Sequence, residues 1–197
     1  MTTKNIWRVL AIVVCSLNSF SQEFYVNRIF QDASGSPVFN PILNQFGIQW
    51  SHTIKGSTGH ILTVGHTFVA GQGENVLLTK TDPDGNVIFS VPWNSGGTDN
   101  DYGINVYEAA SGDIYVCGTT DNGGSTNYDG VLLRYSSSGT LLNATTFAGS
   151  GGLNDIATAL IIHPTSGNLL VAICNENAST NYDYLVAQFN PSSLAAI

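Results

Sequence analysis

Six aspartates, Asp99, Asp101, Asp121, Asp129, Asp155 and Asp183, stand in stretches rich in Gly, Asn and Ser. Carboxylates among flexible, oxygen-bearing neighbours are what calcium takes as ligands, so calcium is the one ion these residues would suit; no other cofactor is expected. Asp129 and Asp183 each end an Asn-Tyr-Asp triplet, and the rings of Tyr128 and Tyr182, with Tyr102 and Trp93, suit stacking on a sugar. The same residues also have an architectural reading, because Asp and Asn hydrogen-bond nearby backbone amides in turns. Asp82 opens the run DPDGN, which looks like the start of a calcium loop, but its counterpart SSSGT at Ser136 has no carboxylate, and a hairpin turn is expected at both.

Signs of catalysis are missing. His52, His60, His66 and His163 lack metal-ligand spacing, and the chain has no GxSxG elbow, P-loop or dinucleotide fingerprint. His60 and His66 flank one apolar run, six residues apart, and share a face only distantly. The expectation is therefore a binding protein without enzymatic activity.

Only 10% of the 197 residues are charged while 43% are hydrophobic, with 21 Gly and 19 Asn, so the chain is polar without being ionic. A net charge of -8 excludes nucleic acid and anionic membrane surfaces as partners, because counterion release needs clustered Lys and Arg. Residues 1–21 have the shape of a secretory signal: Lys4 and Arg8, an apolar run from Val9 to Leu17, and the triplet Ser19-Phe20-Ser21 before a cut at Gln22. The apolar run is too short to span a bilayer, so no transmembrane segment is expected. Removing Lys4 and Arg8 takes the net charge to -10 and leaves a chain, 22–197, that is secreted or displayed at the cell surface. Cys15 follows Val14 and not the small residue a lipid anchor would need. Cys117 and Cys174 lie in apolar runs and read as buried thiols, with a disulfide as the alternative.

What positions these residues is a repeat. TGHILTVGHT from Thr58, SGDIYVCGTT from Ser111 and SGNLLVAICN from Ser166 align, and their glycines Gly59, Gly112 and Gly167 are 53 and 55 apart. Asp82, Ser136 and Asn190 follow one another at 54, as do Asp101 and Asp155, Asn127 and Asn181, Tyr128 and Tyr182, and Asp129 and Asp183. Each copy divides into four apolar runs separated by Gly, Asn, Ser, Asp and Pro, the signature of strands and turns. The runs do not alternate cleanly, which predicts sheets buried on both faces. An all-β chain of four-stranded antiparallel units, each covered by its neighbour, describes a β-propeller.

The combination SGDIYVCGTT, NYDGVLLRYSSSGTLL and TTFAGSGGLND resembles the SBBP-type β-propeller repeats of exported bacterial proteins, over about residues 23–197. The resemblance implies a propeller fold and no particular activity. Two departures stand out: Ile173 replaces the glycine found at Gly65 and Gly118, and the first copy lacks the Asn-Tyr-Asp triplet. Blades are expected at roughly 23–46, 50–93, 104–147 and 158–197, where EFYVNRIF and PVFNPIL supply two outer strands and the last copy about three. Thirteen strands point to a truncated ring with an exposed edge.

In such an arrangement the tight turns KGSTG, AASG, PTSG, DPDGN and SSSGT gather at one end. Longer loops are expected at the other, over residues 67–74, 94–103, 119–129, 148–156 and 175–183. Loops on a rigid scaffold concentrate binding residues, so the long-loop face, with Asp99, Asp101, Asp121, Tyr128, Asp129, Asp155, Tyr182 and Asp183, is the expected surface for a protein or glycan partner. The alternative is a propeller-fold glycan-active enzyme, which would need a pair of carboxylates placed outside the repeat to divide acid and base roles.

Overall fold

The computed structural model describes residues 51–121, 127–149, 153–178 and 181–197. The expected signal segment 1–21 and the expected partial blade 23–46 lie outside them. The described residues form three antiparallel sheets and no helix. The first sheet runs β1 (His52–Lys55), β2 (Ile61–Val69), β3 (Gly73–Thr81) and β4 (Val87–Trp93) in sequence order. The second repeats it with β5 (Asp101–Glu108), β6 (Ile114–Thr120), β7 (Asp129–Tyr135) and β8 (Leu141–Phe147). The third has β9 (Asp155–Ile162), β10 (Leu169–Ala178) and β11 (Asn181–Phe189), and a bridge from Phe189 to Ala196 marks the place of a fourth strand.

The 54-residue spacing extends to irregularities of the backbone. In the second sheet the ladder skips Ile104, between the pairs Gly103–Gly118 and Asn105–Cys117. In the third it skips Thr158, between Ala157–Ile173 and Ala159–Ala172. A β-bulge bends and twists its strand, so the first strands of the second and third sheets turn at the same point. The first strands also start three residues earlier than the repeat alone suggests, at Asp101 and Asp155, because these residues pair with Thr120 and Asn175.

The second sheet is packed on both sides, as the absence of alternation predicts, and every residue of β6 is buried. Ile114 and Val116 point to the first sheet and join Leu62, Val64, Val76, Leu78, Val131 and Leu133. Tyr115 and Cys117 point the other way, to Ala157, Leu160, Leu169, Val171 and Ile173 of the third. β5 lies against β1, β2 and β3, and β9 against β5, β6 and β7, so each first strand crosses the preceding sheet. Contact is closest at Gly103, where an added Cβ would lie 2.5 Å from Val64 Cγ2 and 2.8 Å from the Gly65 carbonyl oxygen.

Equivalent positions end differently at the third sheet. Leu78 and Leu132 are fully buried, whereas Val186, the next in the series, is 67% exposed and Tyr184 beside it 80%.

Cys117 and Cys174 are both free thiols. Burial between two sheets pushes the Cys117 thiol far up, and a thiol in that state is inert because the thiolate is the nucleophile. Cys174 is half-buried on the open face. Iodoacetamide on the native chain should therefore label Cys174 while Cys117 reacts only in denaturant, as peptide mass spectrometry can read; labelling of both at equal rates would contradict this packing.

Candidate functional site

At one end the turns between β1 and β2 and between β3 and β4, with their counterparts, are tight. Gly59, Gly85, Gly112, Gly139 and Gly167 all have positive φ there, the conformation glycine adopts without steric penalty. The opposite end carries the connections between sheets. Two of the loops expected on it are shorter than anticipated. Val69 pairs directly with Gly73, and Gly71 and Gly73 at φ 81° and 80° turn the chain within residues 70–72, so most of 67–74 is strand. Likewise Ala178 pairs with Asn181, which places 175–178 and 181–183 in the β10–β11 ladder. Ladder hydrogen bonding extends these hairpins through segments whose Gly and Asn content reads as loop.

Asp101 and Asp155 are 0% and 2% exposed and occupy matching places. Asp101 accepts the Ser95 N–H at 2.8 Å, and Asp155 accepts the Gly149 N–H at 2.5 Å and the side-chain amide of Asn175. Each carboxylate thus ties down the connection that precedes its own sheet. Burial raises the Asp101 carboxyl, against the lowering effect of hydrogen bonds from Ser95 and Thr120. Asp121, also buried, accepts from Asn100 N at 2.8 Å and Asn100 Nδ2 at 2.6 Å. Half-buried Asp99 accepts from Ser95 Oγ at 3.3 Å.

Asp129 and Tyr128 are half-buried at the start of β7, where the Tyr128 carbonyl receives the Asp155 N–H at 2.6 Å. Tyr182 and Asp183 are exposed on β11, across from Glu176 and Asn175. The residues expected to share one binding surface therefore divide into buried braces (Asp101, Asp121, Asp155) and more open groups (Asp99, Tyr128, Asp129, Tyr182, Asp183). Among the described residues no three of His, Cys, Asp and Glu come together as a metal ion would require.

Sequence reasoning passed over Asn100 and Asn154, which connect the sheets. Asn100 Oδ1 accepts the Glu74 N–H of the first sheet at 3.1 Å, while its Nδ2 donates to Asp121 of the second. Asn154 Oδ1 accepts the Tyr128 N–H of the second sheet at 2.9 Å, while its Nδ2 donates to Glu176 Oε2 of the third at 2.5 Å. Both backbone carbonyls accept as well, from Asp121 N at 3.0 Å and Glu176 N at 2.8 Å. The signal was available, because Asn100 and Asn154 are themselves 54 apart.

One group at this end breaks the repeat. His66, on β2, is 8% exposed, and neither ring nitrogen has a hydrogen-bond partner among the described residues. Its ring meets Tyr102 edge-on, with centroids 5.0 Å apart at 81°, and Tyr102 lies 6.4 Å from Tyr128 at 59°. Half-buried Glu74 leaves its Oε2 enclosed and without a hydrogen-bond partner among the described residues. Burial pushes the Tyr102 hydroxyl up to about 12, with Tyr128, Glu74, Asp121 and Asp101 adding to the shift. At the next junction the counterpart of His66 is Thr119, whose hydroxyl donates to the carbonyls of Asp129 at 2.9 Å and Asp155 at 3.3 Å.

Charge is distributed unevenly between the two ends. Glu74, Asp99, Asp101, Asp121, Asp129, Asp155, Glu176 and Asp183 all lie toward the connection end, whereas Lys55, Lys80 and Arg134 stand near the tight turns. There Arg134 pairs with Asp113 at 2.7 Å and reaches the Ser192 carbonyl at 3.2 Å, as Lys80 reaches the Ser137 carbonyl at 3.1 Å. His60 Nε2 lies 3.0 Å from Glu108 Oε1 between the first and second sheets.

Two measurements test this geometry. Asn100→Ala and Asn154→Ala each strand polar groups on two sheets, so each should cost roughly 1–3 kcal/mol, and the double variant should lose about the sum, since the two share no partner. Chemical denaturation reads this, and near-zero values would show that the asparagines do not hold the sheets. The second concerns acid. Burial holds the His66 imidazole below its ordinary range, so unfolding takes up a proton just below about pH 6.5 and stability falls as pH drops through that window. The Glu74 carboxyl, raised by burial, works in the opposite sense, since its native state holds the proton more readily. His66→Thr should therefore lose less Tm than the parent between pH 7 and 5.5; parallel pH profiles would count against an uncompensated imidazole.

Comparison of the chain with protein-family models and with curated proteins finds no match.

Proposed function

We propose that the chain is an exported binding module without catalytic activity, built of β-propeller blades like those of the SBBP-type repeats and engaging a protein or glycan through its acidic connection end. The observation that carries this reading is the division of labour among the carboxylates. Asp101, Asp121, Asp155 and Glu176 are engaged in bonds that join strands and sheets, while Tyr182 and Asp183 stand exposed beside them. Acid–base catalysis on glycans needs two carboxyls with separate roles, and here the carboxylates of the connection end mostly follow the repeat, Asp101 with Asp155 and Asp129 with Asp183, with Asp99 and Glu74 as departures. Successive antiparallel sheets of four, four and three strands, with the first and second each crossed by the first strand of the next, support the propeller reading. Export rests on the segment 1–21, and no helix among the described residues is long and apolar enough to cross a membrane.

The test is a labelled full chain on an array of bacterial and host glycans and surface proteins, with glycan hydrolysis followed in parallel. Binding without release of product is expected. Tyr182→Ala combined with Asp183→Asn should reduce binding at least about tenfold, equivalent to some 1.4 kcal/mol, with unchanged circular dichroism, whereas Asp84→Asn at the tight-turn end should leave it intact. Turnover of any glycan, or loss of binding in the Asp84 variant alone, would overturn the assignment.

A further inference from the structure

The His66 junction departs from the pattern that explains most of the polar residues at this end, and Asp101 Oδ1 beside it is likewise enclosed without a hydrogen-bond partner among the described residues. The braces recur, with Asp101 matched by Asp155 and Asn100 by Asn154, and their hydrogen bonds recur with them. The set His66, Glu74 and Tyr102 has no such recurrence, because the positions 53 or 54 residues later hold Thr119, Tyr128 and Ile156. Thr119 satisfies its hydroxyl internally, whereas His66 and the Glu74 Oε2 have no partner among the described residues. Enclosing polar atoms without partners costs stability, and the second junction closes without that cost, so the fold does not require these residues.

Their chemistry specifies the missing partner. A neutral imidazole offers one acceptor nitrogen and one N–H donor, and burial favours the neutral form of His66. The Glu74 Oε2 is a second acceptor and carries charge. Tyr102 and Tyr128 bring two ring systems to the same place, and aromatic faces attract cations. Asp101 and Asp121 add negative potential around Tyr102, and none of the described Lys and Arg residues lies at this end. A ligand that donates hydrogen bonds and carries positive charge answers the two acceptors, the negative potential and the ring faces, and a methylene chain beside its charge can lie against those rings.

Resting on the binding-module reading, we propose that the junction of β2, β3 and β5 at the acidic end binds an alkylammonium group, with Glu74 as its counter-ion, His66 as a hydrogen-bond acceptor and Tyr102 and Tyr128 as flanking rings. The shared chemistry is a protonated primary amine on a methylene chain, supplied either as a free amine or as a lysine side chain.

The experiment is calorimetric titration of the full chain with n-butylammonium chloride and, separately, with an Nα-acetylated lysine amide, at fixed ionic strength, with n-butanol and sodium chloride as controls. Saturable binding of the amines and none of the controls is expected, and whichever amine binds more tightly identifies the source. Glu74→Gln should weaken binding at least about tenfold, His66→Thr severalfold, and Asp84→Asn not at all. If Glu74→Gln fails to fold, Tyr102→Leu replaces it, with a similar loss expected. Lowering the pH should also release the amine, because protonation removes the charge of Glu74.

Equal binding of butanol and butylammonium would overturn the proposal, as would full affinity in the Glu74 variant or an equal loss in the Asp84 variant. Failure with amines while the chain still binds the glycan and protein array would sink this site and leave the binding-module reading standing; failure of both would remove both.

Discussion

Stacked β-sheets do not choose their own spacing or rotation, because an apolar face accepts another in many orientations; directional bonds across the junction restrict the choice. Asn100 and Asn154 supply those bonds. An asparagine side chain carries one acceptor and two donors on a short stem, so it can accept from one sheet and donate to the next with little rotational freedom. Here the acceptor faces the start of the third strand of the preceding sheet, and the donor faces a carboxylate in its own. Asp101 and Asp155, one residue further on, hold the incoming connection. The apolar contacts at Val64 and Gly103, or at Cys117 and Ala157, are made within limits that these polar bonds set.

The far end of each junction is held differently. Lys80 and Arg134, 54 apart, reach carbonyls in the turn of the following sheet, and Gly139 leaves room for Phe89, with ring atoms 2.8 Å from where its Cβ would stand. Gln188 takes the corresponding place in the third sheet. That sheet thus has an apolar face like its predecessors, with Val186 and Tyr184 open to solvent where Leu78 and Leu132 are enclosed.

Much of this was readable from residue order. The recurrence of glycines near 54 located the turns, and the architectural reading of Asp101 and Asp155 agrees with their enclosure; the unbroken apolar runs anticipated sheets buried on both faces, which holds for the second sheet and not for the third, where Val186 and Tyr184 are exposed. The hairpins at 70–72 and beyond Ala178 were harder, since Gly and Asn are turn formers whether two residues or eight separate the strands. Asn100 and Asn154 were hidden by composition: in a chain with 19 asparagines, a side chain that spans two sheets looks like one that caps its own turn. His66 drew little weight because it shares a face with His60 only distantly, yet what distinguishes it is the absence of a hydrogen-bond partner among the described residues, which only three-dimensional proximity reveals.

The reach of the clamps has a consequence for how the chain acquires its structure. Glu74 is 26 residues from Asn100, and Tyr128 the same distance from Asn154, so each link closes soon after its second half leaves the ribosome. No clamp has to wait for a distant part of the sequence, and such local closure favours rapid, stepwise assembly. Each new sheet can thus be laid down on a finished one in the direction of synthesis, with an asparagine bridging both of the described seams.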